Sequence, residues 1–289
     1  MSLTADELRE LRRIHVAAGR RVDSLLAGDY RSAVRGQGME FEEVRAYVPG
    51  DDVRHIDWNV TARTGEPFVK VFREERQLTV QLLVDVSGST RVGSGGRDGK
   101  TLRTLQIARV AGGIAYASIR NRDRIGLVTF TDRIEQYLPA RTRRGHVWAV
   151  IQAVFEAAGR HRGTDLSAAL QFVAQVQRRR AVVIVVSDFL DDGAWPEAIA
   201  SLSRRHQVHA ICVHDDLDQA LPGLGLTEVV DAETGRTKLV DAGRWIAEQG
   251  VASRVQELRR RGARAVALST NDDPFFALHR HFQAVGARR

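Results

Sequence analysis

The sequence predicts an α/β protein built on a doubly wound, mostly parallel sheet, with an N-terminal helix and a small β module ahead of it. Three observations predict this. From residue 78 onward, apolar strand-like runs alternate with helical repeats, as in consecutive βαβ units. The run AVVIVVSDF (181–189) has no polar interruption before its end, as expected of a strand buried on both faces. Residues 36–77 instead place Gly36, Gly38, Pro49, Gly50, Gly65 and Pro67 around short extended runs, which reads as irregular β structure. With 289 residues, 43% of them hydrophobic and 27% charged, the chain can fill such a core and lacks the composition of a disordered protein.

Taken in order, residues 5–27 read as an amphipathic helix with Leu8, Leu11, Val16, Leu25 and Leu26 near helical spacing and Gly28 just beyond its end. The module follows, so residues 1–77 form the expected N-terminal part and 78–289 the α/β domain. LTVQLLVDV (78–86) is the first strand of the sheet, TLRTLQIARVAGGIAYASIR (101–120) a helix with a continuous apolar face, and DRIGLVTFTD (123–132) the next strand. Helical patterns at 145–158 and 166–177 lead to the strand 181–189, the helix 195–205 and the strand QVHAICVHD (207–215). Two short arms around Glu233-Thr234-Gly235 predict a β-hairpin insertion at 228–242, before a helix at 243–261, the strand ARAVALST and a last helix from Pro274. The first strand of a doubly wound sheet is normally central, so the extended run at 67–73 should form a separate β layer.

Composition excludes several classes. One cysteine, Cys212 in an apolar run, can form neither an internal disulfide nor a thiolate metal cage, and fits a reducing compartment as a buried thiol. The start MSLTADELRE is not a basic, apolar leader, and no apolar stretch approaches the roughly 20 residues that cross a bilayer. The expectation is a cytoplasmic protein without membrane insertion. A net charge of +7 raises nucleic acid as a partner, but the charge is almost all arginine scattered near helix ends, where it complements helix dipoles. No aromatic and basic residues interleave as a stacking platform, so nucleic acid is not the expected ligand.

The chemistry concentrates at strand ends. LLVDVSGST closes with Asp85, Ser87 and Ser89 at spacing i, i+2, i+4, which puts a carboxylate and two hydroxyls on one side of an extended backbone. Ligands of open α/β sheets bind beyond the carboxyl ends of strands. Thr164, in the loop GTDLSAAL that opens a helix, and Asp188, at the end of AVVIVVSD, should reach the same edge. Carboxylates and hydroxyls suit a hard divalent cation, Mg²⁺ first and Mn²⁺ second. Two aspartates only neutralise such an ion, which would leave it electrophilic toward a partner's carboxylate. Turn capping alone also explains Asp85, Ser87 and Ser89, and N-capping alone explains Asp188. Neither predicts the pair, because converging aspartates repel unless a cation or basic group lies between them.

These residues resemble a known family. DVSGS, GTDLSAAL and VVSDF, in that order, are similar to the metal-ion-dependent adhesion site of von Willebrand factor A domains. The resemblance implies that Ser87, Ser89 and Thr164 bind the metal directly, that Asp85 and Asp188 act largely through water, and that an acidic residue of the ligand completes the shell. GMEFEEVRAYVPGDDVRHIDWNVTAR (38–63) resembles the defining segment of the bacterial domain-of-unknown-function 58 proteins, and ALSTNDDPFFALHRHF resembles their C-terminal end. Many of those proteins carry transmembrane helices ahead of this segment, and this chain resembles their short soluble form. The family resemblance implies a MoxR-type AAA+ ATPase as partner in a chaperone-like or complex-maturation system, with or without a client protein that offers an acidic residue.

Within GDDVRHIDW, the residues Asp51, Asp52, Arg54, Asp57 and Trp58 lie close together. They read either as paired charges around a buried Trp58 ring, or as a docking surface or a lid near the metal edge. The segment SGGRDGKT (94–101) imitates a phosphate-binding loop, yet Ser94 stands where the first glycine is needed and the loop does not directly follow the strand. Ser87 lacks the glycines of a nucleophile elbow, and it also stands where a phosphotransfer site would need its second aspartate. His206, His209 and His214 lie around one strand at a spacing that matches no zinc motif. The expectation is therefore a non-enzymatic, metal-dependent binding module. The alternative is a hydrolase that uses the same sheet edge or the 94–101 loop.

Overall fold

The computed structural model describes residues 5–22, 30, 33, 39–74, 77–91, 102–157, 163–191, 193–218, 225–230, 232, 235–241 and 250–287. The 94–101 loop therefore lies outside the described residues, as do Glu233 and Thr234 of the hairpin turn and the segment 242–249. The chain forms two compact units, residues 35–78 and residues 1–34 with 79–289.

The smaller unit is a two-stranded antiparallel sheet of β1 (Met39–Ala46) and β2 (Phe68–Glu74), with a register shift between Phe41 and Glu43. Between the strands, a 3₁₀ turn at Val53–His55 starts on Asp52, and α2 (Trp58–Thr64) starts on Asp57, whose carboxylate accepts from the amides of Asn59 and Val60. Gly65 ends α2 with φ 78°, a left-handed conformation that suits a residue without a side chain. The β layer is separate from the main sheet.

The N-terminal helix, α1 (Ala5–Arg21), belongs to the larger unit rather than to the module expected to span 1–77. Its buried stripe is Leu11, Ile14, Ala18 and Val22, at spacings of three and four. Val16, which its spacing placed on the apolar face, is exposed. Helix α1 meets α3 (Leu102–Arg120) through His15, whose Nε2 lies 2.7 Å from the Tyr116 hydroxyl.

The main sheet of the larger unit has six strands in the order β10-β7-β6-β3-β4-β5. These are β3 (Thr79–Asp85), β4 (Arg124–Phe130), β5 (Ile134–Arg141), β6 (Val182–Ser187), β7 (Gln207–His214) and β10 (Arg264–Ser269). All neighbours are parallel except β4 and β5. Every residue of β6 is buried, which explains its unbroken apolar sequence. The antiparallel edge strand β5, IEQYLPAR, was not anticipated. It pairs with β4 through a shift at Gly126, where a Cβ would lie 2.5 Å from the Gln81 Oε1 atom and 3.1 Å from the backbone of β5. A side chain there would crowd the Gln81 amide and the backbone of β5, so a residue without one suits the position. The predicted hairpin is present as β8 (Leu226–Val230) paired with β9 (Thr237–Asp241).

The remaining helices of the larger unit are α4 (Arg144–Ala157), α5 (Leu166–Val176), α6 (Trp195–Arg205), α7 (Val251–Arg260) and α8 (Pro274–Gly286). The consequence for function is the position of β3. It is the first strand of the sheet in sequence, and it lies between β4 and β6, so whatever follows its carboxyl end sits at the centre of that edge.

Candidate functional site at the carboxyl edge of the sheet

Asp85 ends β3 and is fully buried. One carboxylate oxygen caps its own turn, accepting from the Ser87 amide at 2.9 Å, and the other accepts from the Ser187 hydroxyl of β6 at 2.7 Å. Asp188 behaves in the same way one strand over. Its Oδ1 accepts from the Leu190 amide at 3.1 Å, while its Oδ2 turns inward and lies 3.3 Å from a guanidinium nitrogen of Arg103. The turn chemistry expected of a loop aspartate is thus present in both residues, but it uses only one oxygen of each. The Ser87 and Ser89 hydroxyls lie 3.1 Å apart and share a hydrogen bond.

The loop carrying Thr164 is anchored on both sides of β3. The Asp165 amide donates to the Thr131 carbonyl just beyond β4, at 2.9 Å, and the Leu166 amide donates to Asp191 Oδ2 just beyond β6, also at 2.9 Å. This segment is therefore tied to the turns after β4 and β6, the two neighbours of β3, and Thr164 within it is half-buried.

Several contributors were not anticipated. Arg103 is the most consequential. Its guanidinium bonds the Ser89 carbonyl at 3.0 Å, contacts Asp188, and makes a close pair with Asp218 in the turn after β7. Burial opposes its charge, but Asp188, Asp218 and Asp215 outweigh that and raise its pKa. The sequence signal was available, since Arg103 shares a helical stripe with buried Ile107, Val110 and Ile114, an unusual place for a charge. Ser187 was missed because it ends an apolar run. Phe189 follows Asp188 with φ 56°, a left-handed conformation that costs a non-glycine residue roughly 1–2 kcal/mol. It is held by its amide bond to Ser187 Oγ at 3.0 Å and by packing against Trp195.

Burial, and then the charge of Asp188, push the Asp85 carboxyl up to about 7, against the hydrogen bonds from Ser87 and Ser187 that favour its ionised form. A carboxylate that resists its own charge at neutral pH is one that an added cation would stabilise. The donor set is all oxygen, which fits a hard divalent ion. Of the two buried carboxylates, Asp188 has a guanidinium beside it, whereas the partners of Asp85 are hydroxyl and amide donors. Cys212 lies on the flank of this network as a buried thiol, its pKa pushed up to about 11 by burial.

In the smaller unit the charges of the GDDVRHIDW segment pair among neighbours. Arg45 grips Asp51 through two bonds of 2.7 Å, and Arg54 holds Asp52 at 2.6 Å. Arg45 and Val48, which also bonds Asp51, were not part of the expected cluster. Asp57, besides capping α2, lies 3.4 Å from Lys70 Nζ. Trp58 does not bury its ring as the paired-charge reading required. It is 70% exposed, because the first position of α2 faces outward, and Val48 and Val53 are exposed as well.

Comparison with known proteins places these features in context. Residues 43–260 match the family model described as protein of unknown function DUF58. An uncharacterised protein of Mycobacterium tuberculosis is 34% identical over 228 residues, covering 78% of this chain and 70% of that protein, and one of Mycobacterium bovis matches equally well. Among solved structures, an aerotolerance-related membrane protein from Bacteroides fragilis is similar with a TM-score of 0.51 at 17% identity, covering 73% of this chain and 99% of that one. A von Willebrand factor type A structure from Catenulispora acidiphila is similar with a TM-score of 0.41 at 14% identity, covering 76% of this chain and 43% of that one. These structural likenesses concern fold alone.

Proposed function

This chain belongs to the DUF58 family, and for it we propose a non-enzymatic, metal-dependent protein-binding role centred on the carboxyl edge of the main sheet. The observation that carries the reading is the buried, under-neutralised pair Asp85 and Asp188 beside two hydroxyls held 3.1 Å apart. In this reading Ser87, Ser89 and Thr164 hold Mg²⁺ or Mn²⁺, with Asp85 and Asp188 balancing its charge. The ion, when bound, supplies an electrophilic position for an acidic side chain of a client protein. Asp85 is kept in place by Ser187, and Asp188 by the turn to Leu190, so the residues are positioned before the ion arrives.

The Ser87 hydroxyl bonds to Ser89, whereas a nucleophile would need a base beside it, and the buried histidines His209 and His281 bond to each other instead. That supports binding over hydrolysis. No helix among the described residues is long and apolar enough to cross a membrane. The proposal places the chain in the cytoplasm, where a MoxR-type AAA+ ATPase is the proposed partner. The exposed Trp58, with Asp51, Asp52, Arg54 and Asp57 around it, is the proposed docking patch, since exposed aromatics flanked by charge are typical interface anchors.

The experiment is titration calorimetry of the full chain with Mg²⁺ and Mn²⁺, together with pull-downs from the source cell with and without Mg²⁺. The expected result is one divalent ion per chain and ion-dependent capture of a partner, both abolished in Asp85→Ala while its circular dichroism is unchanged. Undiminished ion binding in that variant would remove the site assignment, and ion-dependent turnover of phosphoesters or nucleotides would favour the hydrolase.

A further inference from the structure

We propose that Arg103 is a built-in counter-cation of this edge, tethered so that it competes with a divalent ion for Asp188 and thereby sets the affinity of the site. The inference rests on the metal-binding reading above and adds its regulation. Arg103 is nearly fully buried, yet it comes from α3 and not from any of the three loops it touches. One guanidinium joins the loop after β3 through the Ser89 carbonyl, the loop after β6 through Asp188, and the turn after β7 through Asp218.

The three contacts are unequal. The pair with Asp218 is the closest, the bond to the Ser89 carbonyl is 3.0 Å, and the approach to Asp188 is the longest at 3.3 Å. Asp218 is itself fixed by accepting from the Asp215 amide at 2.9 Å. The guanidinium is thus anchored away from Asp188 and leans on it. An incoming ion can take over Asp188 without displacing Arg103 from its other two partners. The cation then stays close by, and its positive charge opposes the ion's. Arg103 Nε is buried with no hydrogen-bond partner among the described residues, so the side chain is not held at every donor.

Charge and shape make different predictions. Arg103→Gln removes the cation and should tighten Mn²⁺ binding by tenfold or more in calorimetry of the full chain. Arg103→Lys keeps the charge but loses the planar fork that reaches three partners, and should leave Mn²⁺ affinity within threefold of wild type. A purely structural Arg103 predicts the opposite pattern, with weaker Mn²⁺ binding in both variants, and that result would overturn the proposal. If Arg103→Gln does not fold, Arg103→Lys decides alone, because a loss of Mn²⁺ affinity beyond tenfold there contradicts a role carried by charge. The two readings fail separately. Absence of Mn²⁺ and Mg²⁺ binding to the wild-type chain removes the metal site itself, whereas wild-type binding with unchanged affinity in Arg103→Gln removes only the competing cation.

Discussion

The chain builds two clusters from the same residue types, aspartate and arginine, and the two differ in burial and in stoichiometry. In the smaller unit each of Asp51 and Asp52 has its own arginine, and all four groups are solvent-accessible. At the carboxyl edge of the sheet, Asp188 and Asp218 share Arg103, while Asp85 reaches only hydroxyl and amide donors. The difference teaches that ion pairs as such are not informative here. A solvated, self-neutralised cluster is an ordinary surface. A buried carboxylate without a basic partner resists its own charge unless a proton or a cation neutralises it, and that requirement distinguishes a candidate site from an ordinary surface.

The sharpest way to break the comparison is pH. Asp85 binds its proton at about 7 in the folded chain and near 3.8 when unfolded, so folding takes up a proton between those values. Its contribution to metal-free stability is complete below about pH 4 and is lost as pH rises to about 7, with a size on the order of a few kcal/mol. Asp85→Asn removes this loss. In urea titrations without divalent ions the variant should be more stable than wild type at pH 8, and the advantage should vanish at pH 4. The difference between the two proteins isolates Asp85 from His281, whose pKa is held down to about 4 by burial, then by Arg259 and Arg264, and which instead withdraws stability as pH falls below about 6.5. With saturating Mg²⁺ at pH 8 the advantage should shrink, since ion binding stabilises wild type alone, by about 2.7 kcal/mol at one hundred times the dissociation constant. An Asp85→Asn difference independent of pH would mean that the carboxylate is not strained by burial.

A smaller effect tests the stoichiometry. Asp218→Asn keeps the shape and removes the closest partner of Arg103. The expected loss is about 2 kcal/mol, below the 3–5 typical of breaking a buried pair, because Asp188 and the Ser89 carbonyl remain on the guanidinium. Asp51→Asn, in the other cluster, should leave the thermal midpoint unchanged. Equal losses from the two substitutions would erase the distinction between buried and solvated pairs.

Much of this architecture was legible in the sequence, and what was not has physical reasons. Strand β6 stood out as an unbroken apolar run and β3 and β7 as mostly apolar ones, and Asp85 at the end of β3 and Asp188 just after β6 stood out because the polarity changes abruptly there. Strand β5 did not stand out. It lies at a sheet edge, half its residues face water, and it contains Pro139, so it has neither an apolar run nor a clean alternation. The extent of the N-terminal module was misjudged because amphipathicity shows that α1 has a buried stripe without showing which unit buries it. Arg103 escaped because its partners are 85 and 115 residues distant in sequence, and only the fold brings them to its guanidinium. The sequence left Trp58 open between a buried ring and a docking role, because its position in the first turn of α2, after the capping Asp57, does not show which way the ring faces.

The smallest expected effect on stability belongs to Trp58, and there the comparison turns toward function. Its ring is 70% exposed and removes little apolar area from water in the free chain, so Trp58→Ala should leave the urea midpoint within error of wild type. An interface anchor behaves differently once a partner covers it, and truncating one typically costs 2 kcal/mol or more of binding, about thirtyfold in affinity. Pull-downs with Trp58→Ala and Asp85→Asn then separate the two units. If both clusters contribute, Trp58→Ala weakens capture whether or not Mg²⁺ is present, whereas Asp85→Asn removes only the Mg²⁺-dependent part. Capture that survives Trp58→Ala undiminished would return the smaller unit to a solvated surface and leave recognition to the buried edge alone.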